Sequence, residues 1–132
     1  MSTLRLEIVT PERIVYEQDV NMVIANGVSG QLGVLPNHVP MVTPLKIAPI
    51  RVKKGNSEEL IAVHGGFMEV RKEKVVILAE AAEQGADIDL SRARQAKERA
   101  EQRLASKNEQ YDHKRAELAL QRALTRIQTS GQ

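Results

Sequence analysis

The chain has no cysteine and no tryptophan, one phenylalanine and two tyrosines. Without thiols there is no disulfide and no thiolate metal site, and the redox compartment stays open. Aromatics at 2% leave no set of rings on which single-stranded nucleic acid could stack. An excess of one charge sign is missing too: 19 basic and 17 acidic side chains give a net +2, too little to argue for a nucleic-acid partner. The longest aliphatic run, "VVILA" at 75–79, is far short of a membrane span. The opening "MSTLRLEIVT" lacks the apolar segment of a signal peptide. The expectation is a soluble protein that does not insert into a membrane but can dock on a membrane complex.

What is present divides into two parts. At 132 residues with 42% hydrophobic side chains, the chain suits one domain, or one domain with an appendage. Residues 1–84 have the period of strands. "LRLEI" alternates strictly, and "NMVIAN", "KIAPIRVKK", "ELIAVH", "FMEVRK" and "KVVILAE" follow, broken by Gly, Pro and Asn. Gly55 and Asn56 in "KKGNSEE" suit a hairpin tip. Short strands without long intervening helices predict an antiparallel β-sandwich or barrel. Residues 85–87 read as a linker, and residues 88–128 contain neither Gly nor Pro and are rich in helix formers. The polar stretch "SKNEQYD" at 106–112 interrupts the apolar stripe, so residues 88–132 are expected to form two helices in an antiparallel hairpin. Residues 1–86 carry 9 basic and 10 acidic side chains and residues 87–132 carry 10 and 7, so the helical part is the basic one.

The arginines repeat. Arg92, Arg99 and Arg103 are spaced by seven and four, and so are Arg115, Arg122 and Arg126. At 3.6 residues per turn each set stays within about 20° of one line. An apolar residue follows every one of them, so each row lies about 100° from an apolar stripe in the same rotational sense. Closing the hairpin along those stripes brings both rows to one side, Arg92 opposite Arg126, Arg99 opposite Arg122 and Arg103 opposite Arg115. Facing rows of like charge repel unless an anion sits between them, and guanidinium forks match phosphate oxygens. The competing reading is a solvated face, with these arginines paired to Glu98, Asp112 and Glu117. The stripe itself is mostly alanine, and each Ala in place of Leu forgoes roughly 2 kcal/mol of burial. Such a hairpin closes weakly, as a ligand-operated switch requires.

In "IDLSRA" at 88–93, Asp89 is an N-cap candidate and Arg92 falls in the first turn. That pair serves either as a plain helix start or as a grip on a small charged ligand. Other motifs lack their context. "GVSGQLG" at 27–33 has no following Lys-Ser/Thr and no helix, so its glycines read as turn residues. His38, His64 and His113 have no metal-ligand spacing, and nothing in the spacing of Asp19, Ser29 and His38 supports a triad. No catalytic constellation emerges, so a non-enzyme is expected.

"TPERIVY" at 10–16, "GQLGVLPNHVP" at 30–40 and "HGGFMEV" at 64–70 with "VVILAE" resemble the epsilon subunit of bacterial F-type ATP synthase. Together with "IDLSRA" they cover essentially the whole chain in that family's order. The resemblance implies a sandwich bound to the gamma subunit and the rotor c-ring, peripheral on the cytoplasmic face of the bacterial plasma membrane. It also implies a hairpin that lies folded on the sandwich or extends along gamma to the beta and alpha subunits. Extended, it blocks ATP hydrolysis through a basic face that maps onto Arg103, Arg115, Arg122 and Arg126. In some members the folded hairpin binds ATP as a regulatory ligand, and the corresponding residues are Glu83, Ile88, Asp89, Arg92, Ala93, Arg99, Arg122 and Arg126. A requirement for Mg2+ is left open. The ring-facing loop maps onto Ser29, Gln31 and His38, with Gln31 uncharged where some relatives carry an acid. The alternative is a purely structural coupling subunit whose helices stay folded without sensing ATP.

Overall fold

The computed structural model describes residues 2–107 and 112–131. Alternation in "LRLEIV" makes β1 (Leu4–Val9), with Leu4, Leu6 and Ile8 buried on one face. β2 (Ile14–Val20), β3 (Met22–Gly27) and β4 (Gly30–Val34) follow, then the long β5 (Met41–Lys54) and β6 (Ser57–Val70), and finally β7 (Lys74–Ala79) and β8 (Ala82–Gln84). All eight join one hydrogen-bonded sheet in the order β2-β1-β7-β6-β5-β3-β4, with β8 added to β6. The pairs are antiparallel except β1 with β7, which are parallel. Three strands were not anticipated from the sequence. β2 opens with an exposed Ile14 and carries Glu17, Gln18 and Asp19, which blur its alternation, β4 contains two glycines, and β8 is only three residues long.

The central hairpin folds the sheet over. β5 and β6 keep one register from Met41↔Val70 to Lys54↔Ser57, across a tip where Gly55 has φ 61. That φ suits glycine at the first central position of a two-residue turn. The ladder skips Lys46 and Gly65, and there both strands change which face points inward. On β6 the core residues are Ile61 and Val63 before the break and Met68 and Val70 after it. On β5 they are Ile50 and Val52 on one side and Leu45 on the other. Gly65 and Gly66 allow this with φ values of 80° and 131°, and a Cβ on Gly66 would lie 2.1 Å from the Leu78 carbonyl oxygen. The sequence reading of "ELIAVH" and "FMEVRK" as separate strands is therefore corrected: the glycines bend a single strand without ending it.

The face switch produces two outer surfaces. Ala62 and His64 are buried outside the core cluster, beneath the second helix. Val42 and Phe67, beyond the break, are exposed. The inner faces close on a core in which Leu6, Ile8, Ile50, Ile61, Met68 and Ile77 are completely buried.

After β8 a 3-10 turn over Gly85–Asp87 leads to α1 (Leu90–Ala105), and α2 (His113–Ser130) returns. Residues 108–111 of the expected polar turn lie outside the described residues. Both helices start with the same device: Asp89 Oδ1 accepts from Arg92 N at 3.1 Å, and Asp112 Oδ1 accepts from Arg115 N at 3.1 Å. Ala93 and Ala100 of α1 and Ala116 and Ala123 of α2 are buried, as the apolar stripes require. α1 packs on α2, and α2 lies over β5, β6, β8 and the 3-10 turn.

Candidate functional site

The mouth of the hairpin, where α1 begins and α2 ends, meets β8. The short β8 carries Glu83 opposite Ala62 of β6. The 3-10 turn brings Asp87 alongside and closes with Ile88 N donating to Gly85 O at 3.3 Å. Asp89, used as the cap, aligns the first turn of α1, so Arg92 and, two turns later, Arg99 face the same side. From α2, Arg126 arrives within reach of the sheet. The resulting cavity has a volume of about 390 Å³ and is lined by Glu83, Asp87, Asp89, Arg92, Ala93, Ala96, Arg99 and Arg126.

Its electrostatics are mixed. Three carboxylates and three guanidinium groups line it, so their formal charges cancel. Arg126 Nε donates to Glu83 Oε1 at 2.7 Å, and the same oxygen lies 2.9 Å from Nε2 of the buried His64. The hydrogen bonds from His64 and Arg126 hold Glu83 well below its ordinary value, at about 2, although partial burial pushes the other way. Glu83 is thus ionised at neutral pH and can only accept, so His64 donates through Nε2. Arg92 and Arg99 make no ion pair among the described residues. Those two guanidinium groups and the terminal amino groups of Arg126 are the donors open to an anion.

Of the residues singled out from sequence, Glu83, Asp89, Arg92, Ala93, Arg99 and Arg126 come together around this cavity. Ile88 and Arg122 are half-buried and do not line it. Arg103 lines a separate groove of about 440 Å³ with Arg99, Gln102 and Ser106, and Arg115 is exposed in the first turn of α2. Ser29 is exposed at the β3–β4 turn, Gln31 is exposed on β4 opposite Asn26, and half-buried His38 follows, its Nδ1 2.8 Å from Val39 O. Two contributors were missed. Asp87 had one signal, its place two residues before Asp89. His64 had another, an imidazole within the buried run Ile61, Ala62 and Val63. Among the described residues no group of three or more His, Asp or Glu side chains could hold a metal ion.

Residues 3–85 match the family model described as ATP synthase, Delta/Epsilon chain, beta-sandwich domain, and residues 86–131 match that of its long alpha-helix domain. The chain belongs to the ATP synthase epsilon family. It is 54% identical over 132 residues to the ATP synthase epsilon chain of Halalkalibacterium halodurans, covering 99% of each chain. With that of Alkalihalophilus pseudofirmus the identity is 56%, again over 99% of each. The fold is shared with a chain of the Euglena gracilis mitochondrial ATP synthase, solved as OSCP/F1/c-ring in rotational state 1, at a TM-score of 0.83 and 21% identity. That likeness covers 100% of this chain and 83% of the other. Members of the epsilon family are non-catalytic subunits of the ATP synthase central stalk. For this epsilon-family chain, no helix among the described residues is long and apolar enough to cross a membrane.

Proposed function

We propose that this epsilon-family chain couples the rotor to the catalytic head and restrains ATP hydrolysis, and that its folded hairpin holds ATP. The observation that carries the last part is the cavity with three guanidinium groups and three carboxylates at the hairpin mouth. A neutral lining disfavours a bare polyanion and favours a ligand with an anionic end and a donor-bearing end. ATP has both: its phosphates suit Arg92, Arg99 and Arg126, while its amino and hydroxyl groups suit Asp87 and Asp89. Arg122 joins when α2 adjusts. In the extended state Arg103, Arg115, Arg122 and Arg126 form the basic face that meets the beta subunit.

Docking on the stalk is supported by an apolar row across five strands. Pro44, Phe67, Leu78, Val9 and Ile14 stand in successive register on β5, β6, β7, β1 and β2. Phe67, Leu78 and Ile14 are each more than half exposed. Exposed apolar side chains gathered in one row mark an interaction surface, and we assign it to the gamma subunit. Val28, Leu35 and Val39 are exposed around Ser29, Gln31 and His38, and this edge is assigned to the c-ring, on the cytoplasmic face of the membrane.

Calorimetric titration of ATP into the full chain tests the ligand reading. Saturable binding that weakens in both Asp89→Ala and Arg92→Ala is expected, and no heat at millimolar ATP sinks it. Adding the chain to the catalytic head should lower ATP hydrolysis, and truncation after Asp87 should remove that effect. Full inhibition by the truncated chain would refute the hairpin's role. One observation favours the purely structural reading: Glu83 already engages Arg126, so the closed hairpin has a charged latch without any ligand.

A further inference from the structure

We propose that His64 is a positioning residue for the cavity: acting through Glu83, it aims Arg126 and so sets, from within the sandwich, both the closure of α2 and the cavity's hold on an anion. This rests on the anion-binding reading of the cavity given above.

His64 is only 3% exposed, on the outer face of β6 that α2 covers. Its position is fixed by the backbone. It is the last β6 residue paired with β5 before the ladder skips Gly65, and its N–H donates to Ala81 O at 2.9 Å at the corner between β7 and β8. The ring cannot follow a moving helix, so it serves as a fixed point. Its Nδ1 is buried without a hydrogen-bond partner among the described residues, leaving the bond to Glu83 as the ring's only one there. A residue needed only for packing would be aliphatic at this place, because a buried ring nitrogen with no partner carries an uncompensated desolvation cost. The imidazole is explained by what its Nε2 does.

Glu83 needs such a partner. It sits on a strand of three residues, and a carboxylate at the end of a flexible side chain has several rotamers open to it. His64 Nε2 and Arg126 Nε meet on the same oxygen, Oε1, so the imidazole selects the rotamer that catches the arginine. The hold on Arg126 is through Nε, which leaves both terminal amino groups free at the cavity wall. A guanidinium held by one edge presents its other edge to a ligand without paying for orientation at the moment of binding. Arg126 is also one turn from the end of α2, so the same bond pins the helix where Thr129 O approaches Gly85.

The test is amide hydrogen exchange of the full chain without ligand, with ATP calorimetry on the same samples. His64→Leu is expected to speed exchange of the α2 amides of residues 127–130 by about tenfold and to weaken ATP binding by about tenfold, the scale of one charge-assisted hydrogen bond. The β1 and β7 amides should keep their protection and so report an intact sandwich. His64→Gln, which still presents an N–H to Glu83, should recover most of both effects. In a Glu83→Ala background the His64→Leu change should add little. The proposal is overturned by wild-type exchange in His64→Leu. It is equally overturned by a His64→Leu effect that is just as large without Glu83, or by a Gln variant with an intact sandwich that rescues nothing. If the wild-type chain binds no ATP, the ligand reading fails by itself, and the exchange results still decide the relay.

Discussion

The sandwich completely buries Leu6, Ile8, Ile61, Met68 and Ile77, whereas the buried positions of the hairpin are Ala93, Ala100, Ala116 and Ala123 with Thr125 and Thr129. A methylene adds about 0.8 kcal/mol on burial, so side chain for side chain the hairpin gains far less from leaving water. Its attachment to the sandwich adds a charged contact, Glu83 with Arg126. The difference is one of design: the first region is committed to one structure by bulk, and the second is held by close packing of small residues and a few polar contacts. Free energies of the order of a ligand's binding energy can change the state of the second without touching the first.

The largest expected effect strikes the committed region. Ile77→Ala should destabilise the sandwich by about 2–5 kcal/mol in chemical denaturation, since it empties a fully buried site. A loss below 1 kcal/mol would mean that bulk burial does not commit the sandwich to one structure. Next comes the latch. Glu83→Gln keeps the shape but loses the charge, and should cost the closed hairpin about 2 kcal/mol. Hydrogen exchange should locate that loss in α2, with β1 and β7 unaffected.

Acid should reach the same latch. The folded state holds Glu83 at about 2, below its ordinary 4.5. Its contribution is complete above that ordinary value and declines as the pH falls towards 2. On acidification the α2 amides should therefore lose protection ahead of those of β6 and β7. Simultaneous loss throughout the chain would make the two regions one cooperative unit. The smallest effect is that of a cap. Asp112→Ala should remove about 1 kcal/mol from α2, seen as faster exchange in its first turn and an unchanged sandwich transition.

How much of this could be read from the residues follows the same division. Alternation in "LRLEI" and the period switch after Gln84 were legible because each face of those elements meets a single environment. β6 was not, because Gly65 and Gly66 exchange its inner and outer faces and α2 then buries the face that should have been solvated. The seven-and-four spacing of the arginines placed Arg92 and Arg126 at one mouth, and both line the cavity. The partner of Arg126 was a different matter. Local charge patterning pointed to acids on the helices, but Arg126 pairs with Glu83 on β8, 43 residues away. A contact that far along the chain leaves no periodic trace. The role of His64 was hidden for the same reason: its polar ring stood out in a buried aliphatic run, but its partner lies on another strand.

On the proposed reading the hairpin, and not the sandwich, answers to a ligand at its mouth. That reading is tested most directly by hydrogen exchange of the full chain with and without millimolar ATP. ATP should slow exchange in α1 and α2, most near Arg92 and Arg126, and leave β1, β6 and β7 unchanged. Unchanged protection in both helices, or equal protection gained in the sandwich, would contradict it.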